Sequence, residues 1–298
     1  MKRRLEIDIS KSIKKLHLIT KQLITEEVVG GYKSVFKGRG LEFDSYRDYM
    51  PDDDSTMIDW KASKRANKLM VRKYVEERSI DVFFLVDISN SMVFGSSVKL
   101  KNEYGAEVVI ALSHAVLMAG DKVGLALFND KIVSKIPPVS GMKQFNKIIG
   151  NLKDPENYGG GFDLENALSF PLTYLKHKGV LFIISDFIGM KDESWKKPLK
   201  WLSTKFDVVC IMIRDPRDKI MPKDMKGQVL IADPYSEKEL LIDPKILGDV
   251  YFRYVNEQEK NIKNTMRECR SDFITIYTDE SFVKPILNLF NMRKKRWR

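Results

Sequence analysis

Long apolar runs are missing from this chain. Its hydrophobic stretches are a handful of residues each, far short of the roughly 20 that a membrane-spanning helix needs. Cysteine is nearly absent: Cys210 and Cys269 are the only two, with no metal-type spacing, which excludes a disulfide scaffold and predicts reduced, unpaired thiols. Histidine is just as scarce, at three residues. His17, His114 and His177 all fall in helix-like stretches, and no glycine elbow surrounds a serine, so a Ser-His-acid hydrolase is disfavoured. The phosphate-cradling pattern Gly-x-x-x-x-Gly-Lys does not occur. An apolar leader is missing too. Met1-Lys2-Arg3-Arg4 is basic, but Glu6, Asp8, Lys11, Lys14 and Lys15 interrupt the stretch after it, and a cytoplasmic protein is expected.

The residues that are present suit an ordinary globular protein. The 298 residues are 43% hydrophobic and 31% charged, enough to bury a sizeable core. A formal charge of +10 raises the question of a polyanionic partner. Basic residues are nevertheless scattered among 41 acids, and the dense cluster is Arg293-Lys294-Lys295-Arg296-Trp297-Arg298. That tail is expected to be a solvated terminus or a patch docking an acidic partner. Binding of nucleic acid or an anionic membrane is the alternative.

The chain is organised around Phe83-Phe84-Leu85-Val86-Asp87-Ile88-Ser89-Asn90-Ser91-Met92. Four apolar residues bounded by polar ones predict a strand covered on both faces, and ligands sit at the carboxyl ends of such strands in open α/β sheets. A tight turn after Asp87 brings its carboxylate and the Ser89 and Ser91 hydroxyls to one point. Hard oxygen donors of this kind suit Mg²⁺ or Mn²⁺. With two neutral hydroxyls as ligands, the metal keeps charge for an external carboxylate. Asp87 as a phosphoryl-accepting nucleophile is disfavoured, because the second acid such phosphatases need two residues on is Ser89 here.

Elsewhere the periodicity alternates between strand and helix. Residues 5 to 28 carry apolar positions at steps of three and four, predicting one or two amphipathic helices ended by Gly30-Gly31. Residues 32 to 78 are rich in both charge and aromatics, which argues for a segment docked on a neighbour. Asp52-Asp53-Asp54 is read as a turn in preference to a second cation site, and Asp59 as the opening of a helix or extended bridge. A helix over 105–119 closed by Gly120, a strand to Phe128, and a helix over 142–152 give a βαβ rhythm. His114, beside an apolar helix face, is expected to be packed rather than ligating. The loop Asn157-Tyr158-Gly159-Gly160-Gly161-Phe162-Asp163 precedes a helix over 164–175, and its glycines permit close approach to another loop. Val180 to Ile184 form a second buried strand ending in Ser185-Asp186. If the two strands are neighbours, Asp186 faces Asp87, and the carboxylates repel unless a cation or proton intervenes. The other reading of Asp186 is a cap for a helix near Trp195. A strand over 206–213, a hairpin over 228–243 appended to the sheet, a helix over 246–267, a strand over 273–277 and a helix over 281–291 complete the chain.

Asp87-Ile88-Ser89-Asn90-Ser91 resembles the metal-ion-dependent adhesion site of von Willebrand factor type A domains. The series Gly38-Arg39-Gly40-Leu41-Glu42-Phe43-Asp44, Tyr46-Arg47-Asp48-Tyr49, Pro51-Asp52-Asp53-Asp54, Ile58-Asp59-Trp60-Lys61 and Val71-Arg72-Lys73-Tyr74-Val75-Glu76-Glu77-Arg78 is similar, in order and spacing, to the bacterial family called domain of unknown function 58. Its members carry a von Willebrand A-like core. The family usually has Gly where Asp52 stands and Arg where Thr56 stands. The resemblance implies a mostly parallel central sheet with helices on both faces, of Rossmann type, over 79–292. Residues 1–78 would be an N-terminal helical and charged segment packed onto it, and 293–298 a basic tail. It also implies that Asp186 is the distal metal acid and that a Thr hydroxyl comes from the glycine loop. Phe162 stands at that position, so Asp163 or a water would replace the Thr. The expected metal set is therefore Asp87, Ser89, Ser91, Asp186 and Asp163.

The implied function is non-enzymatic: an adaptor gripping a partner's acidic side chain through Mg²⁺ or Mn²⁺. Relatives are typically encoded beside MoxR-type AAA+ ATPases, so such an ATPase is the implied associate in assembling or remodelling a target complex. The alternative is a vestigial metal site with a basic surface for nucleic acid or anionic membrane.

Overall fold

The computed structural model describes residues 25–36, 42–75, 79–190, 192–222, 227–236 and 238–296. The helix expected from residue 5 lies outside the described residues until Thr25. From there α1 (Thr25–Phe36) runs straight through Gly30-Gly31, which do not end it. The reason is packing: a Cβ on Gly31 would stand 3.0 Å from the ring of Phe290, so the missing side chain admits a neighbouring helix.

β1 (Glu42–Asp48) and β2 (Met70–Val75) form an antiparallel two-stranded sheet of their own, with α2 (Trp60–Ala66) between them in sequence. Asp59 caps α2, accepting from the amides of Lys61 and Ala62. The acidic run is a turn, as expected: Asp53 accepts from Met50 N and pairs with Arg47, and Asp54 accepts from Thr56 N. The expectation that the aromatics of this segment dock is corrected at two positions, since Tyr46 and Trp60 are 43% and 69% exposed.

The core is a six-stranded sheet in the order β10-β7-β6-β3-β4-β5. β3 (Asp81–Asp87), β4 (Lys122–Phe128), β6 (Gly179–Ser185), β7 (Asp207–Arg214) and β10 (Asp272–Tyr277) are parallel, and β5 (Ile132–Val139) is an antiparallel edge. β5 went unanticipated because Pro137-Pro138 break a strand pattern, yet an edge strand tolerates proline. Alternation along β3 divides the core. Val82, Phe84 and Val86 join a cluster with α1, α3 (Lys101–Met118), α4 (Met142–Lys153) and α8 (Val283–Arg296), while Phe83 and Leu85 join one with α5 (Leu164–Tyr174), α6 (Lys196–Lys205) and α7 (Pro244–Glu268). Both faces are thus covered, which explains why these strands are continuously apolar. Tyr32 fastens α1 to the sheet by donating to Asp121 Oδ2 at 2.9 Å.

β8 (Val229–Ala232) and β9 (Glu239–Ile242) do form a hairpin. It is a separate two-stranded sheet rather than an extension of the large one. The basic end of the chain also departs from expectation: α8 continues through Arg293, which is buried and pairs with Asp207 and Asp272, so this residue belongs to the domain and not to a tail. Among the described residues no helix is long and apolar enough to cross a membrane.

Candidate functional site

Chain order reverses beside β3: the chain passes from β3 through α3 to β4 on one side, and later returns to β6 on the other. The carboxyl ends of β3 and β6 therefore meet at a switch point, where an open α/β sheet leaves a crevice. Asp87 ends β3, Ser185 ends β6, and Asp186 comes next. All three are fully buried, as is Ser89, and Ser91 is nearly so.

The loop after β3 turns back on itself as its spacing predicts. Asp87 Oδ1 accepts from Ser89 N at 2.9 Å, and Oδ2 accepts from Ser185 Oγ at 2.6 Å. The Ser89 and Ser91 hydroxyls lie 3.3 Å apart, and Ser91 Oγ donates to Asp186 Oδ1 at 3.0 Å. Four of the five expected site residues, Asp87, Ser89, Ser91 and Asp186, are thus brought together. Asp163 is engaged elsewhere, because its carboxylate accepts from Asn166 N at 2.9 Å and caps α5. Phe162 supplies an apolar wall, its ring 6.2 Å from Phe128 and 6.3 Å from Tyr235. Asp186 does not cap α6. Its Oδ1 instead accepts from Ile188 N.

Burial and the neighbouring Asp186 charge push the Asp87 carboxyl up to about 7, against hydrogen bonds from Ser185 and Ser89 that favour the ionised form. Asp186 has a resident counter-charge. Lys101 Nζ, 1% exposed, lies 2.7 Å from Asp186 Oδ2 and 2.9 Å from Asp218 Oδ2. Burial alone would depress this ammonium, but the two carboxylates outweigh it and raise it. Among the described residues no cation bonds Asp87, whose carboxylate accepts from Ser89 N and Ser185 Oγ.

Sequence reasoning missed four contributors. Asn90, between the two serines of the Asp-x-Ser-x-Ser run, ties three loops together: its Oδ1 accepts from Gly160 N at 2.9 Å and its Nδ2 donates to Pro234 O at 3.0 Å. Ser185 and Lys101 are the second and third. The fourth is Tyr235, at the tip of the β8–β9 hairpin. Its phenol lies 2.7 Å from Ser91 Oγ, 3.0 Å from Ser89 Oγ and 3.1 Å from Ile188 O. Gly189, at φ +97°, leaves room for the ring; a Cβ there would stand 2.5 Å from it. Burial, then the Asp186 and Asp87 charges, hold the phenol well above its usual range, so it stays protonated.

The donor set suits a hard divalent cation. Among the described residues no three His, Cys, Asp or Glu side chains gather as a metal cluster. The candidate set instead pairs carboxylates with hydroxyl oxygens, all of them hard donors. His114 is packed, as expected, against Phe145 at 5.4 Å, and burial lowers it. Cys210 and Cys269 are free thiols.

These features define an α/β domain with a polar, strand-end crevice lined by acids and hydroxyls. The chain belongs to the family described as protein of unknown function DUF58, whose profile matches residues 45–261. Uncharacterized protein Rv1480 of Mycobacterium tuberculosis is similar at 24% identity over 288 residues, covering 95% of this chain and 89% of that protein. Uncharacterized protein YeaD of Bacillus subtilis is 28% identical over 127 residues, 43% of this chain and 30% of that one. Among solved structures, the conserved hypothetical protein BatB from Bacteroides thetaiotaomicron matches with a TM-score of 0.49 at 13% identity, covering 73% of this chain and all of that one. The SpRpn10 VWA domain matches with a TM-score of 0.40 at 12% identity, covering 71% and 95%. At such scores the fold assignment stands on the strand order itself.

Proposed function

We propose that this protein is a non-enzymatic interaction module that binds a partner's carboxylate through a divalent cation held by Asp87, Ser89, Ser91 and Asp186. The convergence of those four side chains at the switch point between β3 and β6 is the observation that carries this reading. Mg²⁺ or Mn²⁺ is the cation their oxygens favour. Bound there, it would supply a Lewis-acidic position for an external acid, since the two serine hydroxyls add no negative charge of their own. Asp87 and Asp186 offset its charge, and Ser185 and Ser89 N orient the Asp87 carboxylate. The partner class inferred from family resemblance is a MoxR-type AAA+ ATPase acting in assembly or remodelling of a target complex. That association rests on the resemblance alone.

The test is calorimetric titration of Mg²⁺, then Mn²⁺, into chelator-treated protein beside Asp87→Ala. Saturable heat that vanishes in the variant is expected, with metal-dependent capture of the ATPase that Ser89→Ala abolishes. Equal heats in wild type and Asp87→Ala would overturn the site.

A further inference from the structure

The candidate crevice is already filled from within. Ser91 Oγ donates its proton to Asp186, so at Ser91 the Tyr235 phenol is the donor, and it occupies one of the hydroxyl's two lone pairs on the side from which a cation would compete. The same phenol reaches Ser89 Oγ, the other hydroxyl of the set. We propose that Tyr235 is an internal stand-in for the partner's acidic side chain: the β8–β9 tip competes with cation and carboxylate for the crevice, and the site opens when the tip withdraws. This rests on the cation-binding reading above and adds its regulation.

The hairpin is built for such a movement. Leu230, Ile231, Leu240 and Leu241 are all exposed, on both faces of the ribbon, so its body gains little from burial. The contacts that hold it are concentrated at the tip: the phenol's bonds with Ser91 and Ser89, the Asn90–Pro234 hydrogen bond, the Gly189 cradle and the Phe162 ring. A segment fastened at its end and solvated along its length detaches locally without disturbing the sheet. Ile242, buried at the far end of β9, marks where the ribbon rejoins the domain.

The consequence is quantitative. A site whose open form is only fractionally populated shows an affinity reduced by that fraction, so a tip docked about nine-tenths of the time weakens cation binding about tenfold. Tyr235→Phe removes the phenol oxygen and keeps the ring in its cradle, which preserves the fold. Tyr235→Ala removes both.

The experiment is Mn²⁺ calorimetry on wild type, Tyr235→Phe, Tyr235→Ala and Asp87→Ala, with amide exchange of residues 229–242 measured with and without Mn²⁺. Tighter Mn²⁺ binding by both Tyr235 variants, about tenfold for a tip docked to that extent, and faster hairpin exchange in wild type once Mn²⁺ is added support the proposal. Weaker binding by Tyr235→Phe with slower hairpin exchange would make the phenol a ligand and overturn it. Unchanged affinity in both variants, with Asp87→Ala silent, would overturn the latch and leave the cation site standing. Failure of every protein to bind, Tyr235→Ala included, would overturn the cation reading itself.

Discussion

A buried ammonium flanked by two carboxylates is the most consequential single residue outside the candidate donor set. Lys101 and Asp186 are out of contact with solvent, and Asp218 is 8% exposed, so the ion pairs are unscreened by water. Desolvating all three charges is costly, and only their mutual geometry offsets it; removing one partner strands the others. Lys101→Met is expected to destabilise the fold by about 3–5 kcal/mol, the range for breaking a buried pair by deleting one member. A urea titration that left the midpoint where it is in wild type would contradict this. Ser185→Ala is a milder version of the same argument. Its hydroxyl donates to Asp87 and accepts from Phe187 N, both buried, so the loss is expected to be about 1–3 kcal/mol in the same titration. Neither role is written locally in the sequence: a lysine opening a helix is ordinarily solvated, and Ser185 looks like any strand-end hydroxyl.

Two adjacent glycines in α1 separate backbone propensity from packing. A Cβ on Gly30 meets nothing within 4 Å, whereas on Gly31 it would press on Phe290 at 3.0 Å and Leu287 at 3.1 Å. Gly30→Ala should therefore raise stability by about 0.5–1 kcal/mol, the helix-interior penalty of glycine. Gly31→Val should lower it by about 1–3 kcal/mol through overpacking against α8. Thermal melts of the two variants moving in the same direction would refute this assignment. The pair of glycines also shows how far pattern reading goes. Two consecutive glycines signal a stop unless a partner helix needs the space, and that partner, α8, lies at the other end of the chain. β3, β4, β6 and β7 were legible because burial on both faces leaves runs such as Phe83-Phe84-Leu85-Val86 with no polar interruption. β5 was not, because none of its positions is fully buried and Pro137-Pro138 mimic a loop. The Asp-x-Ser-x-Ser turn was legible because its chemistry is local. Tyr235 was not, because it lies 144 residues from Ser91 in the chain and sits in a turn whose composition looks interchangeable.

Across the whole molecule the formal charge of +10 is less available than it looks. Arg293 is 4% exposed at its side chain; its Nε bonds Asp272 and its two terminal nitrogens bond Asp207, linking α8 to the starts of β7 and β10. Lys294 and Lys295, the next two positions, are both exposed. A guanidinium fork gripping a carboxylate bidentately is a positional device, which a lysine cannot reproduce. Arg293→Met should cost about 2 kcal/mol, less than for Lys101 because Asp207 is 42% exposed and can rehydrate. The variant Lys294→Ala should stay within about 0.5 kcal/mol of wild type, as surface substitutions away from such contacts do. Measured side by side by denaturation, the two would exchange rank if the end of α8 were a solvated basic tail. The expected order, with Arg293 mattering and Lys294 not, makes this end of the chain a clamp across the sheet edge that also presents α8 to Gly31 of α1, so that the first and last described helices stabilise each other on the face opposite α5, α6 and α7.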